Sequence, residues 1–232
     1  MFKNIFCFLL RLVTYGEVAM PYPKDHKSKT RLRILEAARV LFNRHGYDRV
    51  TIDQVMAEAD LTRGGFYSHF TSKEELFADA MIGFLDGRGA QWRRDEGIDP
   101  AACQLVMAKR MVDAYLSRRH LRDRDGQCPL IAYATDVANS GPRVRDSYRR
   151  LVEAMAWLFE MNLEGDPASR RSQALSLTAL CIGGMIVARA IPETEIAEDI
   201  LDAAHNAATS MWDRLPSAGT GEAGWQVAQG EL

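Results

Sequence analysis

Three sets of helix signals follow one another in residues 29–75, and they constrain the fold more than any other feature of the chain. Apolar side chains in residues 29–45 recur at the i, i+3, i+4, i+7 and i+8 spacing of an amphipathic helix, which a glycine ends. Thr51 is placed to cap a second short helix, and Thr62 to cap a third that runs through His69. Two short helices joined by a turn of about three residues predict a helix-turn-helix.

The predicted third helix has one apolar and one polar face. Leu61, Phe66 and Phe70 are spaced to enter a small core. The opposite face and the lysine beyond it comprise Arg63, Gly64, Gly65, Tyr67, Ser68, His69 and Lys73. Two adjacent glycines in a helix cost about 0.8–1 kcal/mol each relative to alanine, and a close approach of the backbone to DNA is a reason to keep them. The alternative is a solvated polar face without a partner.

The side chains of this polar face have chemistry suited to a duplex. Arg63 can donate two hydrogen bonds to one guanine in the major groove. Donors suited to phosphate oxygens are Thr62, Tyr67, His69 and Lys73. The sequence therefore favours a DNA-reading surface on the third helix.

Charge is divided unevenly along the chain. Residues 21–73 carry ten Lys and Arg against six Asp and Glu, whereas residues 74–232 carry seventeen against twenty-four. A basic segment joined to an acidic one is typical of a small polyanion-binding domain on a body with another task. In the basic segment, Lys29 and Arg33 are predicted to add phosphate contacts, with a solvated helix start as the alternative.

The stretch from Thr30 to Met81 resembles the DNA-binding domain of the TetR family of bacterial transcriptional regulators. The resemblance is carried by ILEAA and LF in the first helix, Gly46-Tyr47, Thr51-Ile52, Phe66-Tyr67 with His69-Phe70, and Ser72-Lys73-Glu74. It implies a homodimer whose third helices enter successive major grooves of a palindromic operator in double-stranded DNA. The family's contact positions fall on Thr51, Arg63, Gly64, Gly65, Tyr67, Ser68, His69 and Lys73. Because Gly64-Gly65 replaces larger residues of many relatives, the base sequence stays open.

The rest of the chain shows no sustained alternation of apolar and polar residues, so the sequence predicts an all-α protein. Ser72 and Glu75 have the spacing of a capping box that opens a long fourth helix over about residues 72–93. Further helices are predicted to begin at Asp99-Pro100 and to run from Cys128-Pro129 to Asn139. The predicted organisation is an unassigned extension (1–22), a helix-turn-helix DNA-binding domain (23–73), a helical ligand-binding and dimerisation domain (74–215) and a disordered tail (216–232).

The first residues need an interpretation of their own. Lys3, an apolar run over Ile5–Leu10 and Arg11 resemble a weak signal peptide, but no small-residue cleavage pattern precedes Met20. The run is also far shorter than the roughly 18 apolar residues that a membrane span needs. We interpret the segment as an extension upstream of a native start at Met20. A membrane tether and a structured or disordered arm are the alternatives.

Two apolar helices predicted near residues 168–190 and 194–214 are candidates for an association surface. The first is almost entirely apolar over Leu177–Ala188 and holds a glycine pair that would let another helix approach closely. Two such helices from each subunit would form a four-helix bundle with two-fold symmetry. The predicted interface residues are Leu180, Gly183, Gly184, Val187, Ile200, Ala204, Ala207 and Met211. The alternative is that both helices belong to the core of one subunit.

The resemblance also implies a ligand pocket between the middle helices. Methionine and aromatic side chains suit an adaptable apolar pocket, and they suit a plain core as well. The candidates are Trp92, Met107, Met111, Tyr115, Cys128, Tyr133, Met155 and Phe159. No metal or other cofactor is expected, because the five histidines are dispersed and lack the spacing of a zinc site.

Cys128 is the sharper candidate within that set. It precedes Pro129 and is predicted at a helix N-cap, where the helix dipole favours the thiolate. The arrangement looks similar to a branch of the TetR family that senses electrophiles or oxidants through a cysteine. The alternative is a small buried residue at a helix start, and Cys103 and Cys181 are both interpreted as core residues.

Together these features predict a cytoplasmic DNA-binding regulator without enzymatic activity, a repressor that a small-molecule inducer releases from its operator. The sequence shows no nucleophile triad, phosphate-binding loop or dinucleotide motif. Four cysteines without paired spacing fit a reducing compartment. Two alternatives stay open: a redox- or electrophile-sensing regulator acting through Cys128, and a helical interaction module that does not bind DNA.

Overall fold

The computed structural model describes residues 24–99 and 102–213, which form helices joined by loops, with no β-strand among them. The all-α fold class is confirmed. In chain order the elements are α1 (Lys24–His45), α2 (Ile52–Glu58), the 3-10 helix η1 (Arg63–Ser68), α3 (Lys73–Asp86), α4 (Arg88–Asp95), α5 (Leu105–Tyr115), α6 (Arg118–Arg122), α7 (Pro129–Ala132), α8 (Ala134–Ala138), α9 (Pro142–Glu160), α10 (Pro167–Ala190) and α11 (Glu195–Asp213). The predicted extension (1–22) and disordered tail (216–232) lie outside the described residues.

The first three elements, which we call the head, share a small apolar core. Ile34 and Phe42 of α1, Val55 of α2, Phe66 of η1 and Phe70 just after it are each at most 1% exposed. Full burial of an aliphatic or aromatic side chain of this size stabilises a fold by roughly 1.5–3 kcal/mol. These contacts fix the position of η1 against α1 and α2.

The helix caps follow the sequence in part. Thr51 and Gln54 form a full capping box, in which Thr51 Oγ1 accepts from the Gln54 N–H at 3.2 Å and Gln54 Oε1 accepts from the Thr51 N–H at 2.8 Å. The cap predicted at Thr62 is wrong, because its side chain makes no cap hydrogen bond. The segment that follows is a 3-10 helix, a form used in short pieces, and its two glycines favour the α-helix poorly.

The capping box predicted at the start of α3 is half formed. Ser72 Oγ accepts from the Glu75 N–H at 3.0 Å, as predicted. The Glu75 carboxylate, however, accepts from the Thr71 N–H at 2.6 Å instead of returning to Ser72. The reciprocal hydrogen bond of the capping box is therefore made to the residue before the N-cap, Thr71, and not to Ser72.

The long helix predicted over residues 72–93 is wrong, because α3 and α4 are separated at Gly87. The backbone there has φ −93° and ψ −114°, outside the helical region. A Cβ added to Gly89 would lie 2.6 Å from the Phe84 ring, so the chain folds back on itself where a side chain would clash. The two glycines thus mark a bend that helical periodicity does not reveal.

Two other predicted helix bounds are also wrong. The helix expected from Asp99-Pro100 begins at Leu105, after Cys103 with a left-handed φ of 49°. The helix expected from Cys128 to Asn139 is two short helices, α7 and α8, divided at Tyr133. The Tyr133 hydroxyl donates to Asn43 Oδ1 of α1 at 2.5 Å, so a contact to the head fixes this break.

The rest of the fold, which we call the body, is built around α10, which packs against both α9 and α11. Length and composition alone would let α10 cross a bilayer, and a third of its most apolar 18-residue stretch is buried within the chain. α3 packs on both α1 and α9 and so joins the head to the body. At this junction the Phe77 ring centroid lies 4.9 Å from that of Phe42 and 4.9 Å from that of Tyr133.

Candidate functional site

η1 presents a polar face to solvent while its apolar side is buried in the head. Phe66 is fully buried, whereas the neighbouring Tyr67 is 62% exposed. The exposed predicted contact residues are Thr51, Thr62, Arg63, Gly64, Tyr67, Ser68, Lys29 and Arg33, and the half-buried ones are Gly65, His69 and Lys73. An ion pair between Arg63 and Asp53 places the start of η1 beside the start of α2. The head therefore offers one accessible surface built from these two element starts.

The two glycines of η1 are not required by packing within the chain. A Cβ on Gly64 would meet no atom within 4 Å, and one on Gly65 would make an ordinary contact of 3.6 Å with Met56. Neither residue has the positive φ that favours glycine. Nothing in the fold of a single chain therefore explains why these positions lack side chains.

Arg63 has a partner that sequence reasoning missed. Its Nη1 lies 2.6 Å from Oδ2 of Asp53, and the two side chains are 66% and 56% exposed. Exposed pairs of this kind contribute about 0.2–1 kcal/mol, so an incoming hydrogen-bond acceptor can replace Asp53 at small cost. The two residues lie ten positions apart in different elements, so helical spacing provides no signal for the pair.

Some predicted phosphate contacts already hold parts of the head together. Lys73 Nζ lies 4.2 Å from the centroid of the Tyr47 ring, and burial lowers the pKa of Lys73. Arg33 Nη2 donates to the Ala59 carbonyl at 2.6 Å. Burial, and then the charges of neighbouring basic residues, lower the pKa of His69. Lys73 and Arg33 would have to leave these partners to reach a phosphate, whereas Tyr67 would not.

A second feature of interest is an apolar cavity of about 50 Å³ among residues of α3, α4, α5 and α9. Five of the predicted ligand residues line it: Trp92, Met111, Tyr115, Cys128 and Met155. Three do not, namely Met107, Tyr133 and Phe159. Sequence reasoning missed Phe84, Leu85, Arg93, His120, Leu130, Leu151 and Leu158, since the aliphatic ones look like any core residue.

Aromatic rings form one wall of the cavity. The Tyr115 ring centroid lies 6.2 Å from that of Trp92 and 4.8 Å from that of His120, both at nearly perpendicular angles. His120 Nδ1 is 2.8 Å from the Tyr115 carbonyl oxygen, and burial lowers the pKa of His120 to about 4. The imidazole is therefore neutral at pH 7 and completes an uncharged aromatic wall.

The expectation of a reactive thiolate at Cys128 is wrong. Cys128 is the N-cap of α7 as predicted, but it is 7% exposed, and burial raises its pKa to about 11. α7 has only four residues, so its dipole does little against the loss of solvation. Cys181 is buried as predicted, whereas Cys103 is exposed and outside any helix, so its interpretation as a core residue is wrong.

Residues 123–128, which we call the bridging loop, connect the cavity to the head. The side-chain amide of Asn43 in α1 donates to the Asp125 carbonyl at 2.9 Å, and the backbone carbonyl of Asn43 accepts from Gln127 Nε2 at 3.0 Å. Arg44 forms an ion pair with Asp125 at 2.6 Å. At its other end the loop contributes Gly126 and Cys128 to the cavity lining.

The bridging loop is also tied to the body. Arg189, near the end of α10, donates to Gln127 Oε1 and to the carbonyls of His120 and Asp123. Arg88 of α4 donates to Asp123 Oδ2 at 3.0 Å. One short segment that lines the cavity thus contacts α1, α4 and α10.

α10 and α11 divide the predicted interface residues between two roles. A Cβ on Gly184 would lie 2.9 Å from the Ala204 Cβ of the same chain, so these two residues serve the packing of α10 on α11 within one subunit. A Cβ on Gly183 would meet nothing within 4 Å. The remaining predicted interface residues are half-buried (Leu180, Ile200, Met211) or exposed (Val187, Ala207).

The outward sides of α10 and α11 carry apolar residues at helical spacing. On α10, Leu175 and Val187 are 43% and 46% exposed, and on α11, Ile196 is 57% exposed. Val187 shares one face of α10 with Leu180 and Gly183, and Ile196 shares one face of α11 with Ile200, Ala207 and Met211, all of them half-buried or exposed. Apolar stripes of this kind are typical of an association surface. We call this surface the α10–α11 stripe.

Comparison with a family model agrees with the head. Residues 34–80 match the model described as "Bacterial regulatory proteins, tetR family". An uncharacterised HTH-type transcriptional regulator of Bacillus subtilis, YfiR, is 44% identical over 63 residues, which are 27% of this chain and 31% of that protein. The HTH-type transcriptional regulator TtgR of Pseudomonas putida is 31% identical over 83 residues, 34% of this chain and 40% of that protein.

A third relative is a probable acrEF/envCD operon repressor of Escherichia coli, 39% identical over 59 residues, which are 25% of this chain and 27% of that protein. The match to these curated relatives thus spans well under half of their length.

Solved structures extend the likeness of fold to the body. A TetR transcriptional regulator from Legionella pneumophila superposes with a TM-score of 0.62 at 18% identity, covering 84% of this chain and 99% of that one. A TetR transcriptional regulator from Chloroflexus aurantiacus gives 0.61 at 21% identity, covering 82% and 97%. At this level of identity the likeness shows the fold alone.

Proposed function

We propose that this chain, whose residues 34–80 match the model of the TetR family of bacterial regulatory proteins, is a cytoplasmic transcriptional regulator of that family that represses its target and is released from DNA by an inducer. The observation that carries the proposal is the bare, exposed backbone at Gly64 beside Arg63. A backbone without side chains can come close to base edges. A polar face that contacts only solvent has no need of such a gap.

The proposed DNA-bound form is a homodimer on a palindromic operator. A single head presents one η1, whose contact surface is too small for tight and specific binding. The α10–α11 stripe supplies the association surface, because pairing two copies would cover apolar side chains that one chain leaves in solvent. The two heads would then reach half-sites about one helical turn apart.

The proposed inducer site is the cavity that Trp92, Tyr115 and Met155 line. A molecule larger than this cavity must displace its walls, and the bridging loop connects those walls to α1 of the head. An inducer that binds better to the displaced arrangement shifts the population of dimers away from the spacing that fits the operator.

Selection from random duplex DNA with the purified protein tests DNA recognition. We expect a palindromic consensus, and an affinity that falls steeply with salt because each neutralised phosphate contributes about −0.9 to the slope of log K against log salt. Arg63→Ala should lose about 1–3 kcal/mol of discrimination at one base pair per half-site.

Arg149→Ala is the matched control for that variant. Arg149 is an exposed arginine of α9 that pairs with Asp146 and Glu153, so its loss removes the same charge far from η1. A protein that stays monomeric, or that binds all duplexes equally, would contradict the proposal and favour the helical interaction module. The burial of Cys128 and its raised pKa argue against redox sensing through this residue.

A further inference from the structure

The cavity holds one buried hydroxyl that the fold leaves without an oxygen or nitrogen partner. Tyr115 is 2% exposed, and its hydroxyl makes no hydrogen bond within the described residues. The hydroxyl does interact with the Cys128 thiol, but sulfur is only a weak hydrogen-bond acceptor. Burial of a hydroxyl without a full hydrogen-bond partner is unfavourable, so a bound oxygen acceptor would stabilise this arrangement.

The other walls narrow the chemistry of what binds there. Leu130, Leu151 and Met155 provide aliphatic surface, and the cavity lining includes no carboxylate. Its one cationic residue is Arg93, which donates to the Leu85 carbonyl at 2.9 Å and has no ion-pair partner among the described residues. A cationic ligand would therefore meet an arginine and no counter-charge, and its desolvation would go uncompensated.

The size of the cavity adds a third limit. Its volume of about 50 Å³ is a third of the roughly 150 Å³ of an apolar cavity that admits benzene. Met111 and Met155 are unbranched and adaptable, so a ring-sized ligand can be accommodated by their movement. The ligand is therefore expected to be compact, with at most one ring.

We propose that this cavity binds a compact, uncharged apolar molecule that carries one carbonyl oxygen, and that Tyr115 donates a hydrogen bond to that oxygen. The proposal rests on the proposed function only in assigning the cavity a regulatory ligand. Arg93 is the one group of the lining that could attract a carboxylate, and its guanidinium already donates to the Leu85 carbonyl. We therefore expect a neutral carbonyl compound to bind better than a carboxylate, which would lose its solvation on entering a largely apolar lining.

Binding of matched probes to the purified full chain tests this assignment. Acetophenone and α-methylstyrene have nearly the same shape, but only the first has an oxygen acceptor. We expect acetophenone to bind about 3–10-fold more tightly, the range that one net hydrogen bond supplies. Protonated 1-phenylethylamine and benzoate, with the same ring, are both expected to bind more weakly than acetophenone. Titration calorimetry measures all four.

Two tyrosine variants make the test specific. Tyr115→Phe should bind the two neutral probes equally, while Tyr148→Phe should keep the preference, because the Tyr148 hydroxyl already donates to the Leu130 carbonyl at 2.7 Å. The proposal is overturned if wild type does not discriminate the neutral probes, if it binds neither, if Tyr115→Phe keeps the preference, or if the amine or benzoate binds best. DNA binding is measured in a separate experiment. The ligand-binding results can therefore be interpreted even if the protein does not bind DNA.

Discussion

At Gly64 the requirements of folding and those of the proposed DNA contact separate. The fold has room for a side chain there, since an added Cβ meets no atom within 4 Å. Glycine also costs conformational entropy on folding, so alanine would suit the isolated protein better. The proposed approach of a base edge or phosphate to within van der Waals distance would explain why the side chain is absent.

Gly64→Ala should therefore raise stability and weaken DNA binding in the same protein. We expect the free energy of unfolding to rise by about 0.5–1 kcal/mol and operator affinity to fall about tenfold or more. Gly83→Ala is the matched control, because Gly83 lies in α3 and also has no atom within 4 Å of an added Cβ. It should share the stability gain and bind DNA normally. Unchanged DNA affinity in Gly64→Ala would separate this glycine from the interface.

His120 makes stability depend on pH in a predictable direction. Burial lowers its pKa from 6.5 to about 4 in the folded protein, so between these values the unfolded chain binds a proton that the folded chain does not. Stability from this group is complete above pH 6.5 and is lost as pH falls towards 4, by about 3 kcal/mol in all.

His120→Gln tests that dependence by urea unfolding across this range. The variant should lose less stability than wild type on acidification, whatever its stability at pH 7. The groups that face His120, namely Arg88, Asp123 and Arg189, are retained in both proteins. Parallel pH curves for the two proteins would show that some other group dominates.

Burial of Cys128 predicts slow alkylation. Exposed Cys103 should react with iodoacetamide in the native protein, while buried Cys128 and Cys181 should react only after unfolding in urea. Peptide mass spectrometry distinguishes the three sites. Rapid labelling of Cys128 accompanied by release of DNA would restore redox sensing as the regulatory signal.

At the scale of the elements, the two adjacent glycines of α10 have different surroundings. Gly184→Ala should destabilise the subunit by about 1–3 kcal/mol, because the new methyl would lie 2.9 Å from Ala204. Gly183→Ala meets nothing in its own chain and should instead weaken the dimer by crowding the partner's helix. Sedimentation equilibrium and thermal unfolding measure the two effects. A tighter dimer in Gly183→Ala would place the interface on another surface.

The elements also show what the sequence could and could not predict. Apolar periodicity and caps located α10 and α11 to within one residue at each end and α1 to within five, because each buries one long stripe. The break at Gly87 and the division at Tyr133 were missed, since a close backbone approach and a hydrogen bond to Asn43 decide them. Cavity aliphatics such as Leu130 were missed for a similar reason: periodicity marks a buried face without saying what lies opposite.

At the scale of the whole molecule, the head and the body share contacts that couple their unfolding. Asn43 and Arg44 bind the bridging loop, and Phe77 packs between Phe42 and Tyr133. The double variant Asn43→Ala, Arg44→Ala should lower stability by about 1–2 kcal/mol and broaden the calorimetric transition, because the head loses attachments to the body. Arg149→Ala, which removes ion pairs within α9, should keep one sharp transition. An equally sharp transition in the double variant would place the coupling in the aromatic contacts alone.

In the structure the guanidinium of Arg63 forms an ion pair with the carboxylate of Asp53. In the proposed complex, two hydrogen bonds to a guanine would compensate fully for the loss of this ion pair, whereas another base would compensate less well. The same carboxylate repels the phosphates of a strand that settles out of register. In the proposed complex Asp53 would therefore weaken binding to other sequences more than binding to the operator. Asp53→Asn should then bind random duplex DNA more tightly and discriminate less between that DNA and the operator.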